Sequence, residues 1–371
     1  MPEQPTLTEH AGTIRELASR WLDSLLSDPA VRDAGGDVVC SPAGLWLALS
    51  ALAVGADGET ADELADLLGV ATPEAAGIVA DAVRSIAATS DLNVATGVFA
   101  KVPVRDEYQA LLPGVSFAPL DDPAAIDAWV REATGGLIEA LPSPPNPDVA
   151  LLLVNALALK ATWAKPFDPA QTTPQPFTPA TGPAADVPMM RRTVPAADTW
   201  TVGYRDGAVT VVELPCAGDS PARVRFALGV DGAPPASVMA AAWGPRHLGE
   251  PVEEDRVVLR LPRFALRTNV DVTAHLEALG VHRALSGKAE FDLISPVALK
   301  LDQVVQESLI RVREEGVEAA AVTQAAMTRM SARTDPPLEV TFNRPFACAV
   351  IDASGTVPLF SAYQAGIPQA E

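Results

Sequence analysis

The stretch VALLLVNALAL at 149–159 sets the strongest constraint on how this chain folds. It is apolar almost without interruption and carries a single amide, Asn155, at its middle. It falls well short of the ~20 residues needed to span a bilayer, as does the other long apolar run, GLWLALSALAVGA at 44–56. A strand with such a profile must be covered on both faces. The rest of the chain therefore has to supply material above and below it.

The N-terminal side supplies helices. Ile14, Leu17, Trp21, Leu22 and Leu25 share one face at helical spacing, which predicts an amphipathic helix. DVVCSP at 37–42 predicts a short buried strand, with Pro42 suited to a helix start. A buried helix over 44–54 follows, then one over 59–68 closed by Gly69, and a third over 74–88. NVATGVFA (93–100) predicts a strand, and 126–141 a helix interrupted by glycine. Beyond the central run the texture changes. A Pro-rich stretch at 166–195 is the one candidate boundary, and strands are predicted at 208–214, 223–230, 256–261, 303–312 and 338–352. A late helix is predicted over 270–280, closed by Gly280. Helices early and strands late, with a doubly covered strand between them, predict one interleaved α+β domain spanning 1–371.

Composition excludes several classes of function. Asp and Glu number 47 against 27 Lys and Arg, for a net charge of −20. Such a surface repels phosphate backbones and anionic lipid, so neither nucleic acid nor a membrane is an expected partner. Cys40, Cys216 and Cys348 are odd in number and widely spaced, which fits neither a disulfide framework nor a metal site. The N-terminus lacks a basic region followed by an apolar one, so the sequence predicts a cytoplasmic protein, or export by a leaderless route. No GxSxG, P-loop, GxGxxG or HExxH pattern occurs. His275 and His282 have a spacing a metal would accept, but solvated or core roles account for them better. Neither catalysis nor a cofactor is expected.

One segment resists this reading. EEGVEAAAVTQAAMTRMSARTDPP (314–337) is rich in alanine, and propensity alone predicts a surface helix. It has no helical stripe of large apolar residues. With period two, Val317, Ala319, Ala321, Thr323, Ala325 and Met327 form one small or uncharged set, and Glu318, Ala320, Val322 and Gln324 begin the other. The segment also suits a loop in one state and a strand in another. The residues alone leave both readings open.

Four motifs decide between them by resemblance. SPAGLWLALSALAVGADGETADELADLLG (41–69), LLVNALALKATWAKPFDPAQTTPQPF (152–177), EEGVEAAAVT (314–323) and FNRPFACAVIDASGTVPLF (342–360) resemble, in order and spacing, the signatures of the serpin family of protease inhibitors. The resemblance covers nearly the whole chain. It implies a serpin fold of three β-sheets with eight or nine helices and a reactive loop at about 314–337. It also implies a monomeric, metastable suicide-substrate inhibitor of serine endopeptidases. In that mechanism the target attacks the loop and forms an acyl-enzyme, and the cleaved loop inserts into the main sheet beside 303–312. About a dozen new ladder hydrogen bonds at roughly 0.5–1.5 kcal/mol apiece rival the typical ~5–15 kcal/mol stability of a domain, even after ordering entropy is set against them. A non-inhibitory serpin, or inhibition of a cysteine protease, is the alternative.

The resemblance also assigns residues. Glu314, Gly316, Val317, Ala319, Ala320 and Ala321 match the hinge, and their small inward side chains fit insertion. Most of the family would place the cleaved bond at Met330–Ser331, suiting elastase-, subtilisin- or chymotrypsin-like enzymes. AMTRMS (326–331), however, resembles the loop of the plasmin inhibitor, which points to Arg329–Met330 and a trypsin-like target. Arg333 is a minor option. Trp163, Arg263, Ser41, Asn155 and Gln306 match positions where the sheet opens, and Glu314 is expected to pair with Arg263. Gln306 stands where many members carry His, and Gly44 where many carry Ser. No basic helix lies between 71 and 90, so no heparin-like cofactor is expected. The Ala- and Pro-rich, Lys-poor composition hints at a GC-rich, bacterial genome.

Overall fold

The computed structural model describes residues 7–70, 72–89, 92–141, 148–159, 161–317 and 337–369. Among them the chain forms nine α-helices and three sheets. The central run becomes the strand Leu151–Leu159, hydrogen-bonded on one side to Leu92–Ala100 and on the other, in parallel, to Gln303–Val312. Val115–Pro119 closes one edge of this main sheet and Phe264–Asp271 the other.

Both faces of the main sheet are covered, as the apolar run requires. Helix Pro42–Val54 lies beneath it, buried at every residue, which explains why its sequence is hydrophobic all round. Helix Pro123–Ala133 lies over the opposite face. There Ile126 and Val130 form a separate core with Val154, Ala156 and Val305. Helix Ala11–Ser27 buries Ile14, Leu17, Trp21, Leu22 and Leu25, the face its periodicity predicts.

The other two sheets hold most of the late strands. A seven-stranded sheet runs Val38–Cys40, Pro358–Gln364, Phe346–Ile351, Arg223–Leu228, Gly207–Pro215, Thr199–Tyr204, Glu250–Pro251 in spatial order. A four-stranded sheet runs Leu338–Thr341, Arg256–Pro262, Ala185–Pro195, Thr173–Phe177. The Pro-rich stretch is thus no boundary. Its prolines Pro174 and Pro176 sit on an edge strand, where a missing N–H is tolerated.

Three local expectations are corrected. The helix predicted over 126–141 ends at Ala133, because Gly135 and Gly136 adopt φ of 62° and 83°. The helix predicted over 270–280 shrinks to Thr273–Leu276, because the residues before it pair with Gln303–Val312 through Asp271. The strand predicted over 338–352 splits into Leu338–Thr341 and Phe346–Ile351 ahead of and behind Pro345, and the two halves belong to different sheets.

Candidate functional site

The site is the seam between Leu151–Leu159 and Gln303–Val312. Over most of its length the two strands bond directly, with Gln303 opposite Leu152 and Leu309 opposite Ala158. At one end they diverge. There Gly316–Val317 forms a two-residue strand antiparallel to both neighbours, with Val317 opposite Val312 on one side and Ala161 on the other. The chain reverses tightly after Val312, and the Arg313 N–H donates to the Gly316 carbonyl at 2.9 Å. Val317 is fully buried. Gly316 and Val317, which lie within the segment expected to be a displayed loop, are therefore already seated in the sheet.

Gly316 is required by the closeness of this fit. A Cβ built there would lie 2.1 Å from the Ala161 carbonyl oxygen and 2.7 Å from the Thr162 Cα, both backbone atoms that cannot swing aside.

A clasp surrounds the seated residues. The Glu314 carboxylate is buried and accepts from Arg263 Nε at 2.7 and 2.8 Å and from the Thr172 hydroxyl at 2.5 Å. Burial by itself raises the carboxyl's pKa, but the bonds from Arg263 and Thr172 outweigh it and hold Glu314 below the ordinary carboxylate range. The Trp163 indole donates to the Arg313 carbonyl at 2.9 Å, and its backbone N–H donates to the Glu315 carbonyl at 2.9 Å. The Phe167 N–H donates to the Glu314 carbonyl at 2.8 Å. Every carbonyl of the reversal from Arg313 to Gly316 thus has a donor.

Farther down the seam a second polar cluster joins the two strands to the helix below. Gln306 and Asn155 face each other across the seam, and Gln306 Nε2 donates to Asn155 Oδ1 at 3.4 Å. The same carboxamide brackets the Ser41 backbone, accepting from its N–H at 2.6 Å and donating to its carbonyl at 2.9 Å. The Ser41 hydroxyl donates to the Leu359 carbonyl at 2.5 Å and caps helix Pro42–Val54 by accepting from the Gly44 N–H at 3.0 Å. Asn155 Nδ2 donates to Thr96 Oγ1 at 3.1 Å.

The structure thus brings together two groups of sequence-predicted residues, Trp163 with Arg263, Glu314, Gly316 and Val317, and Ser41 with Asn155 and Gln306. Ala319, Ala320, Ala321, Arg329, Met330, Ser331 and Arg333 lie outside the described residues. Thr172 and Phe167 escaped the sequence reading, because nothing local marks a residue whose partner lies well over a hundred positions away. The histidine pair does not converge. His275 is held by Trp21 Nε1 at 3.2 Å and Asp28 at 2.8 Å, whereas the His282 backbone N–H donates to Glu63 at 2.8 Å.

A closed sheet that admits two residues of an adjoining segment at one end, beneath a polar clasp, defines a serpin-type seam. Comparison with known proteins agrees. A family model described as serpin (serine protease inhibitor) matches residues 18–363, so the chain belongs to the serpin family. Human glia-derived nexin is 29% identical over 336 residues, covering 84% of this chain and 82% of the relative. Serpin48 of the insect Tenebrio molitor superposes with a TM-score of 0.81 at 23% identity, covering 97% of this chain and 98% of that one. Native protease nexin-1, solved with heparin, superposes at 0.77 and 23% identity, covering 96% and 99%. The fold is the serpin fold, and the family is one of protease inhibitors, not catalysts.

Proposed function

We propose that this protein inhibits a serine endopeptidase by trapping it as a covalent acyl-enzyme while the cleaved segment inserts along the seam. The observation that carries this reading is the seated pair Gly316–Val317, which has the position and direction of the first residues of a strand lying between Gln303–Val312 on one side and Ala161–Thr162 and Leu151–Leu159 on the other. Extending that strand would replace the one direct parallel ladder between the flanking strands with two antiparallel ladders, a net gain of one ladder. Because Val317 is already buried, its burial adds nothing to the driving force. The gain has to come from new ladder bonds and from the residues after it.

The serine nucleophile of the target would attack the carbonyl carbon of Arg329 in a trypsin-like encounter, or that of Met330 in an elastase-, subtilisin- or chymotrypsin-like one. The loop's likeness to that of the plasmin inhibitor favours Arg329–Met330. The clasp on Glu314 fixes the base of the segment, and Gln306 with Asn155 holds the seam shut until cleavage. No polyanion cofactor is part of the proposal: helix Thr72–Ala87 carries one basic residue, Arg84, and it is paired with Asp81.

Incubation with trypsin, and separately with elastase, followed by denaturing electrophoresis and mass spectrometry of the released peptide, tests the reading. A complex that survives denaturant, with a peptide beginning at Met330 or Ser331, is the expected result. Clean cleavage at those bonds with both enzymes still active refutes trapping of these proteases and favours a non-inhibitory serpin.

A further inference from the structure

The strand Phe264–Asp271 pairs with Gln303–Val312 along its inner side and forms the outer edge of the main sheet. An edge of this kind offers its outward N–H and C=O groups to any strand that approaches. Just beyond its end, Val272 donates its N–H inward to the Val304 carbonyl at 2.9 Å. Direction alternates along an antiparallel strand, so the N–H groups of Arg263 and Ala265 point outward. Both are occupied. The Arg263 N–H donates to the Pro188 carbonyl at 2.9 Å, and the Ala265 N–H to the Gln369 carbonyl at 2.9 Å. Farther along, strand Val38–Cys40 lies against the same edge, where the Val39 N–H donates to the Thr268 hydroxyl at 2.9 Å.

Gln369 belongs to a short segment, Gly366–Gln369, that follows the strand Pro358–Gln364 and is built into the surface. Pro368 is buried, Ile367 packs against the core, and the Gln369 carboxamide donates back to the Ile367 carbonyl at 3.1 Å. Asp37 holds the root of the segment. Its carboxylate accepts from the Ala365 N–H at 2.6 Å, the Gly366 N–H at 2.8 Å and the Gln364 carboxamide at 3.1 Å. The Ala365 carbonyl is held in turn by the Ala180 N–H at 2.8 Å. A Cβ on Gly366 would stand 3.2 Å from the Asp37 carboxylate, so the missing side chain lets that carboxylate close on both N–H groups. Asp37 also leads directly into Val38–Cys40, so one carboxylate ties together two pieces of chain that cover the edge.

We infer that Gly366–Gln369 is a strap that stops the main sheet from adding a strand at its outer edge, and that freeing it opens this edge to a second copy of the chain. Identical edges suit each other. A two-fold antiparallel pairing sets the outward residue Ala265 opposite the outward residue Arg267 of the second copy, and each pair exchanges both bonds. The strap stands apart from the seam and does not depend on the inhibitory reading.

Sedimentation velocity and amide exchange, on the full chain and on a variant lacking residues 367–371, test it. The full chain is expected to sediment as a monomer. The shortened chain should form a species of twice the mass, its share rising with concentration. In dilute solution its Ala265 amide should exchange about tenfold faster, the loss of one hydrogen bond. Adding Ala265→Pro to the shortened chain should restore the monomer, because proline removes the outward N–H without taking a bond from the inner ladder. Should the shortened chain fail to fold, Asp37→Ala keeps every residue of the strap, removes its anchor and carries the same readouts. A full chain that already associates, a freed chain that stays monomeric, an Ala265 amide that exchanges as before, or association that survives Ala265→Pro overturns the strap.

Discussion

Replacing Gly316 by alanine isolates the role of the seated residues. The new methyl carbon would stand 2.1 Å from the Ala161 oxygen and 3.0 Å from its carbonyl carbon. Backbone on that side is tied down by the Ala217 N–H donating to the Thr162 carbonyl at 2.7 Å and the Ala164 N–H donating to the Pro215 carbonyl at 3.0 Å, so the hinge has to withdraw. Withdrawal exposes Val317, costing about 1.5–3 kcal/mol, and loses ladder bonds worth ~0.5–1.5 kcal/mol each. The total is about 3 kcal/mol. At roughly 2.1 cal/mol/K per residue this lowers the thermal midpoint by about 4 °C for a chain of this length. The same energy protects the Val317 amide about 100-fold in the wild type, and the variant should lose that protection. Hydrogen–deuterium exchange over 308–317 reads the effect directly. Emission of Trp163, whose indole is bonded to the Arg313 carbonyl, reads it independently. Gly12→Ala is the control: nothing lies within 4 Å of its Cβ, and the residue sits in a helix, so it should stabilise slightly. If Gly316→Ala exchanges and melts like the wild type, the packing argument for the hinge is wrong.

Three further outcomes follow from the clasp and the seam. Glu314→Gln should lower stability by about 1–3 kcal/mol near pH 7. Because the folded pKa of Glu314 is depressed from 4.5, that contribution is present above about 4.5 and lost as pH falls through the folded value. A difference in melting temperature that stays constant down to pH 3 would contradict the clasp. Glu307 behaves in the opposite sense. Its buried carboxyl is raised by desolvation, only partly offset by Arg267 and Asn269, so stability should decline as pH rises from 4.5 through the folded value. Glu307→Gln should flatten that decline in a series of denaturant melts. Gln306→Leu strips both bonds from the Ser41 backbone and should cost about 2–3 kcal/mol, measured by urea unfolding, whereas an unchanged midpoint would show that the seam does not need the carboxamide.

Much of the architecture was legible because the relevant signals are local. The apolar faces of Ala11–Ser27 and Pro42–Val54 and the unbroken run around Asn155 each follow from periodicity within a single element. Local signals failed where pairing partners lie far away in sequence. Phe264–Asp271 took residues expected in a helix because it zips onto Gln303–Val312, and the Pro-rich stretch became sheet with Pro174 and Pro176 on its edge strand. The site divided along the same line. Resemblance to the serpin motifs picked out Glu314 with Arg263, and Ser41 with Asn155 and Gln306, without their geometry; the Thr172 bond to Glu314 left no trace in the sequence.

By itself the sequence determined that a doubly covered strand stands at the centre of an acidic α+β chain, and that a small-residue segment follows Gly316. Hydrophobic periodicity and side-chain size are properties of neighbouring residues, so they survive in one dimension. Only the tertiary structure decided that Gly316 and Val317 are seated in the sheet and not displayed. Whether Val317 lies in water or between Ala161 and Val312 depends on a gap between two strands about 150 residues apart in the chain, and on whether a glycine without a Cβ can approach the Ala161 carbonyl.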